Sequence, residues 1–277
     1  MIDWQKLQPL YERKAYRIVQ KHVKSILNNI PVSNVSKGTF EYTIEANITE
    51  EQIYKMFVDI YTTIGLNYGN KVNNELEKVK KANILFNEYL LKQILLFLSN
   101  EGGVKITSVR DTLVADVIKS IKDTIGENAT VIDLQNAIYA LIRKSQTFYK
   151  WQALRIARTE TTSASNFSAF ETAKQSDLVL DKIWISVQDN RTRLTPYDHL
   201  DMNNQIQELD KPFFVGGQEI DYPGDTKASA GNVINCSDRF NSRADFTDAI
   251  TLMIDVNSED AGELAQLEEL YAKVTAH

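Results

Sequence analysis

Residues 188–201, "QDNRTRLTPYDHLD", bring together Asp189, Asp198 and Asp201 with Arg191, Arg193 and His199, in a segment with little apolar content. Alternate residues of an extended segment face the same side, so Asp189, Arg191 and Arg193 can form one planar network of carboxylate and guanidinium groups. We read this network as a structural clasp, in which removing either Arg strands a buried carboxylate at a cost of about 3–5 kcal/mol. Zinc is the other chemistry on offer. Asp189, His199 and Cys236 supply the oxygen, nitrogen and sulfur that this ion accepts, with Asp201 close by in sequence, although paired CxxC spacing is absent. The plainer alternative makes Cys236 a small core hydrophobe and His199 a hydrogen-bonded turn residue. A nucleophilic Cys236 needs a positioned base, and nothing in its flanks resembles a nucleophile elbow. No glycine-rich phosphate loop is present for ATP or a dinucleotide.

Upstream, "LRIARTE" sets Arg155 and Arg158 three apart on one helix face, which could receive a carboxylate or a phosphate, and Glu160 follows. Lys150 and Arg155 are the candidate DNA contacts, with Lys144 and Arg158 completing a basic face. Such binding weakens steeply with salt. The whole chain opposes broad nucleic-acid binding, because its formal charge is −6 and its pI about 5.3. With 277 residues, 43% hydrophobic and 25% charged, it is long and apolar enough to bury a sizeable core. The single cysteine excludes an internal disulfide. No secretory pattern opens the chain, and no run approaches the roughly 20 apolar residues of a membrane span.

The elements that must hold these residues begin with helices. Apolar spacings of three and four predict a helix from Met1 to about Leu27. The alternation of "TFEYTIE" predicts a strand with Phe40, Tyr42 and Ile44 on one face. Thr49 with Gln52 predicts a capped helix that buries Ile53, Phe57, Ile60 and Ile64 and stops at Gly65. "ILFNEYLLKQILLFL", residues 84–98, predicts a buried helix, with a partner surface as its alternative. A further helix starts at Thr107 or Ser108 and ends at Gly126, and one long helical pattern runs from Thr130 to Glu160. The Ala/Ser/Thr-rich "ARTETTSASNFSAFETAKQ" is a weak helix by propensity that can approach a neighbour closely. "DKIWISVQD" predicts a strand with Ile183, Ile185 and Val187 on one face, and Gly216-Gly217 predicts a hairpin. "AGELAQLEELYAKV" predicts a short acidic helix near the C-terminus.

In order, "IARTETTSASNFSAFETAK", "KIWISVQDNRTR", "DHLD", "PFFVGGQEIDYPGD" and "NVINC" resemble the phage Mu F-like family of minor head, or head morphogenesis, proteins. The match covers residues 151–240, and the first half is similar only in its helical character. The resemblance puts the family motifs on Arg158, Thr159 and Glu160; on Asp189, Arg191 and Arg193; on His199, Leu200 and Asp201; on Pro223, Gly224 and Asp225; and on Asn235 and Cys236. It departs at Met202, where the family often has Gly, in the longer "LTPYD" spacer, and at Asp238, where the family has a second Cys. That last change costs a metal site a thiolate or replaces it with a carboxylate. "QEID", residues 218–221, is faintly similar to the acidic motif of ADP-ribosyl transferases, a pairing common by chance.

The expectation is therefore an α+β protein: a helical region over 1–150, a Mu F-like module over 151–240 with a β-hairpin, and a tail with a short helix over 241–277. The resemblance implies a minor head protein of a tailed bacteriophage or prophage. Such a protein binds the portal, with scaffold, major capsid protein and genomic DNA as further partners, and assists procapsid assembly and DNA packaging or ejection. It implies synthesis in the bacterial host cytoplasm, a place in the procapsid interior, no membrane, no enzymatic activity and no cofactor beyond a candidate zinc. The rival expectation is a metal-dependent enzyme acting on nucleic acid, or a toxin-like effector delivered with the phage genome.

Overall fold

The computed structural model describes residues 2–77, 86–126, 128–176, 178–188 and 192–244. The C-terminal acidic helix expected from the sequence lies outside these residues, as do Asp189 and Arg191 of the expected clasp.

The chain is α+β. Helix α1 (Trp4–Asn28) starts where the Asp3 carboxylate accepts from the Lys6 amide, and it buries Leu7, Tyr11, Ala15, Val19, Val23 and Ile26 along one stripe. Residues 40–47 form helix α2 (Phe40–Asn47) rather than the expected strand. Phe40 and Ile44 are buried while Tyr42 is 74% exposed. Positions four apart share a face under both periodicities, and Tyr42 alone distinguished them.

Helix α3 (Glu50–Ile60) carries the expected capping box: the Thr49 amide donates to Gln52 Oε1 at 2.9 Å and the Gln52 amide to Thr49 Oγ1 at 3.3 Å. Gly65 does not stop it. The chain widens into a π-helical segment (Tyr61–Leu66) and continues as α4 (Asn67–Glu77). A Cβ on Gly65 would lie 2.5 Å from Ser168 Oγ, so this glycine serves close helix approach rather than termination.

Helix α5 (Phe86–Asn100) is the buried helix expected there, with Phe86, Leu90, Leu91, Ile94, Phe97 and Leu98 in the core. Helix α6 (Gly103–Thr124) starts a turn earlier than expected. Thr107 is no cap and instead donates to Glu50 Oε1 at 2.6 Å. The long pattern from Thr130 is three helices: α7 (Val131–Arg143), opened by a Thr130/Asp133 capping box, α8 (Ser145–Phe148) and α9 (Lys150–Gln175).

Helix α9 is the axis of the molecule. Every residue from 159 to 173 is buried, although ten of these fifteen are Ser, Thr, Glu or Asn. It packs on α1, α4 and the π-helical segment, and also on the last strand, β5 (Arg239–Ala244). Small side chains permit that approach from all sides, and tertiary packing overrides weak helix propensity.

Strand β1 (Leu180–Ile185) lies between β2 (Ile206–Glu208) and β5, antiparallel to both. A separate hairpin joins β3 (Phe213–Val215) to β4 (Gln218–Ile220) through Gly216 and Gly217, at φ +56° and +76°. The inward face of β1 is Leu180, Lys182 and Trp184, and Ile183 and Ile185 lie on the other. Trp184 anchors a small core with Met202, Phe213, Val215 and Ile220. The larger core runs from Trp4 to Tyr222, across the expected boundary at 150/151. No helix among the described residues is long and apolar enough to cross a membrane.

Candidate functional site

The polar groups singled out in the sequence meet on two sides of α9. On one side the segment 232–238, opened by the short helix α10 (Ala230–Val233), carries Cys236 and Asp238 towards His199. His199 Nδ1 lies 2.9 Å from Asp238 Oδ2 and 3.7 Å from Cys236 Sγ, and all three side chains are at most 2% exposed. Asp238 also accepts from Trp184 Nε1 at 3.0 Å and from the Val187 amide at 3.1 Å. A buried carboxylate with three donors is well compensated.

The other ring nitrogen of His199 is also held. Gln218 Oε1 accepts the Ser229 amide at 3.0 Å, which fixes the oxygen end of that side chain. Asn232 Nδ2 donates to this Gln218 oxygen at 2.7 Å and to the Val215 carbonyl at 3.3 Å, leaving Asn232 Oδ1 to accept from His199 Nε2 at 3.0 Å. Nε2 thus carries the N–H of that bond, and Nδ1 faces Asp238 Oδ2.

α9 clamps this segment through side chain to backbone bonds. Thr159 Oγ1 accepts from the Asn235 amide at 3.0 Å, where Asn235 adopts φ +59°, a conformation asparagine tolerates. Thr162 Oγ1 donates to the Cys236 carbonyl at 2.6 Å, and Asn166 Nδ2 to the Pro223 and Asp238 carbonyls at 2.8 and 3.0 Å. Ser163 Oγ donates to the Gly224 carbonyl at 2.8 Å. Gly224 has φ +85°, and a Cβ there would lie 2.9 Å from Ser163 Oγ and 3.1 Å from its Cα.

A second cluster surrounds Glu160. It accepts from Tyr61 Oη at 3.0 Å and from Lys105 Nζ at 3.3 Å, and Lys105 also donates to Ser163 Oγ at 3.1 Å. Burial, then the Glu160 carboxylate, push the Tyr61 phenol well above its usual range. Asp225 accepts from the Asp221 and Lys227 amides at 2.8 and 3.0 Å, and its burial raises its pKa. Lys182 is fully buried with its Nζ 5.1 and 5.2 Å from the Phe170 and Phe213 rings, donating to the Asp221 carbonyl at 3.0 Å; burial lowers its pKa to about 8.

Of the predicted residues, Glu160, His199, Asn235 and Cys236 join this α9-centred network, whereas the Asp225 carboxylate closes its own turn on the Asp221 and Lys227 amides. Arg193 reaches its edge by donating to the Ile234 carbonyl. Asp201 does not join, since it is exposed and serves a turn. Arg158 faces α1, with its Nε 3.7 Å from Glu12, and so leaves the proposed basic face. Lys150 and Arg155 are exposed, and five helical residues separate them by about 140° around α9. Asp238, at the centre of the His199 cluster, was read from sequence as the loss of a cysteine or its replacement by a carboxylate in a metal site. Its spacing two beyond Cys236 was the signal available. A cleft of 550 Å³ lined by His22, Ser25, Asn29, Thr49, Glu51 and Lys55 lies apart from these motifs.

No protein-family model matches the chain, and no solved structure matches it. It is similar to the NAD(+)--arginine ADP-ribosyltransferase EFV of Enterococcus faecalis, with 27% identity over 173 residues that make up 61% of this chain and 33% of that protein. The match thus spans about a third of the length of the relative. The expectation of a chain without enzymatic activity is overturned by this relative, whose name is that of an enzyme.

Proposed function

We propose that the chain is a head-morphogenesis module of a tailed bacteriophage or prophage, acting within an architecture that also transfers ADP-ribose from NAD(+) to arginine. The observation that carries this reading is the docking of the motifs on one helix. The RTE segment on α9, His199, the Pro223-Gly224-Asp225 turn and Asn235-Cys236 bond one another or the backbone between them, as a module built to be rigid requires. His199, Cys236 and Asp238 are too buried to touch a nucleotide, which favours a clasp over a catalytic centre at this point.

The transferase half of the proposal rests on the relative, in which the matching stretch is a third of the protein. In this reading the module binds the portal inside the procapsid after synthesis in the host cytoplasm, and the transfer reaction follows delivery. Two assays on the purified chain test it. Co-elution with portal oligomers on size exclusion is expected, and elution apart from them at every ratio rejects the assembly role. Incubation with labelled NAD(+) and agmatine reads out transfer. Labelled agmatine assigns the chemistry to this chain, whereas its absence alongside portal binding assigns the chemistry to another part of the architecture.

A further inference from the structure

We propose that His199, Cys236 and Asp238 bind one zinc ion through Nδ1, Sγ and a carboxylate oxygen. This inference is independent of the portal and transferase readings. These ligand atoms all lie within 4.8 Å of one another. The donor set is one imidazole, one thiolate and one carboxylate, which zinc accepts and harder cations such as magnesium do not.

Two features beyond proximity point to a metal. His199 Nε2–H is committed to Asn232 Oδ1, which turns Nδ1 towards Cys236 and Asp238 and raises its basicity, as the outer partners of metal-bound histidines do. Asn232 is itself fixed by Gln218 and the Val215 carbonyl, so the ring is oriented before any ion arrives. Trp184 Nε1 and the Val187 amide can stay on the Asp238 carboxylate while it coordinates.

The ligand charges suit the ion as well. With the imidazole neutral and Cys236 and Asp238 deprotonated, a thiolate and a carboxylate offset the two charges of zinc, the protons that the ion displaces leave to solvent, and no uncompensated charge is buried. Three protein donors leave the fourth tetrahedral position to water.

Elemental mass spectrometry of the untagged full chain, stripped with chelator and dialysed against zinc, should find about one zinc per chain. Cobalt substitution should produce a thiolate-to-cobalt charge-transfer band that Cys236→Ser abolishes. Asn232→Ala should weaken zinc binding by about 10–100-fold through loss of ring orientation, without removing a ligand. Zinc uptake no higher than in Cys236→Ser, or cobalt binding without the charge-transfer band, overturns the proposal. Should Cys236→Ser fail to fold, the cobalt spectrum of the unaltered chain still decides.

Discussion

Asp238 makes three hydrogen bonds in a buried site, with Trp184, Val187 and His199, and this makes it the side chain whose loss should be felt most. Asp238→Ala strands an indole N–H, a backbone amide and the Nδ1 side of the His199 ring together. We expect about 3–5 kcal/mol of lost stability by urea denaturation monitored through tryptophan fluorescence. An effect under about 1 kcal/mol, the range of a surface ion pair, would show that the clasp does not hold the module. Lys182 gives a prediction in pH. Its folded pKa is about 8 against 10.5 for an ordinary lysine, so between these values the unfolded chain binds more protons and stability rises with pH. The gain attributable to Lys182 is at most about 3 kcal/mol. Denaturation midpoints for the unaltered chain and Lys182→Met should diverge in slope between pH 8 and pH 10, and parallel curves would dismiss Lys182 as the source.

At the scale of elements, α9 depends on small side chains where other helices cross it. Gly65→Ala drives a methyl to within 2.5 Å of Ser168 Oγ and 3.3 Å of the Ala164 carbonyl. We expect a loss of about 1–3 kcal/mol. Adding Ser168→Ala removes the nearest atom and should recover part of the loss, whereas Gly38→Ala, with nothing within 4 Å of the new methyl, is the neutral control. A double variant no more stable than Gly65→Ala alone would rule out this contact as the cause. The same logic explains a failed expectation. Gly65 looked like a helix stop because sequence shows that a residue lacks a side chain, while the neighbour requiring that lack is Ser168, more than a hundred positions away.

For the whole molecule, both ends of the described chain are tied together. Trp4 Nε1 donates to the Ser237 carbonyl at 3.1 Å, and Arg239 Nη1 to the Ile2 carbonyl at 2.8 Å. Residues 1–150 and the segment from 151 onward share one core, with α1 packed along α9. A fragment beginning at Trp151 would expose the α1-facing side of α9 and should show little ordered structure by circular dichroism. The full chain should unfold in one transition by both far-ultraviolet and tryptophan signals. A fragment that folds cooperatively would restore the boundary at 150/151 as a true domain limit.

The sequence by itself determined what local patterns encode. The Thr49 and Thr130 caps are written in residues three apart, the α1 stripe in spacings of three and four, and the 216/217 turn in two adjacent glycines. It also put His199 and Cys236 forward as one candidate ligand set, which the fold brings to 3.7 Å of each other. What it could not decide were choices settled by distant neighbours. Phe40 and Ile44 fit either a strand or a helix until a helical core received them. The inward face of β1 went to Leu180, Lys182 and Trp184 rather than to the isoleucines because Trp184 had Asp238 and Phe213 to meet. The role of Asp238 itself emerged only when β5 and β1 paired and brought it to His199, since a buried carboxylate is defined by the donors that surround it, and those donors lie 39, 51 and 54 residues away in the chain.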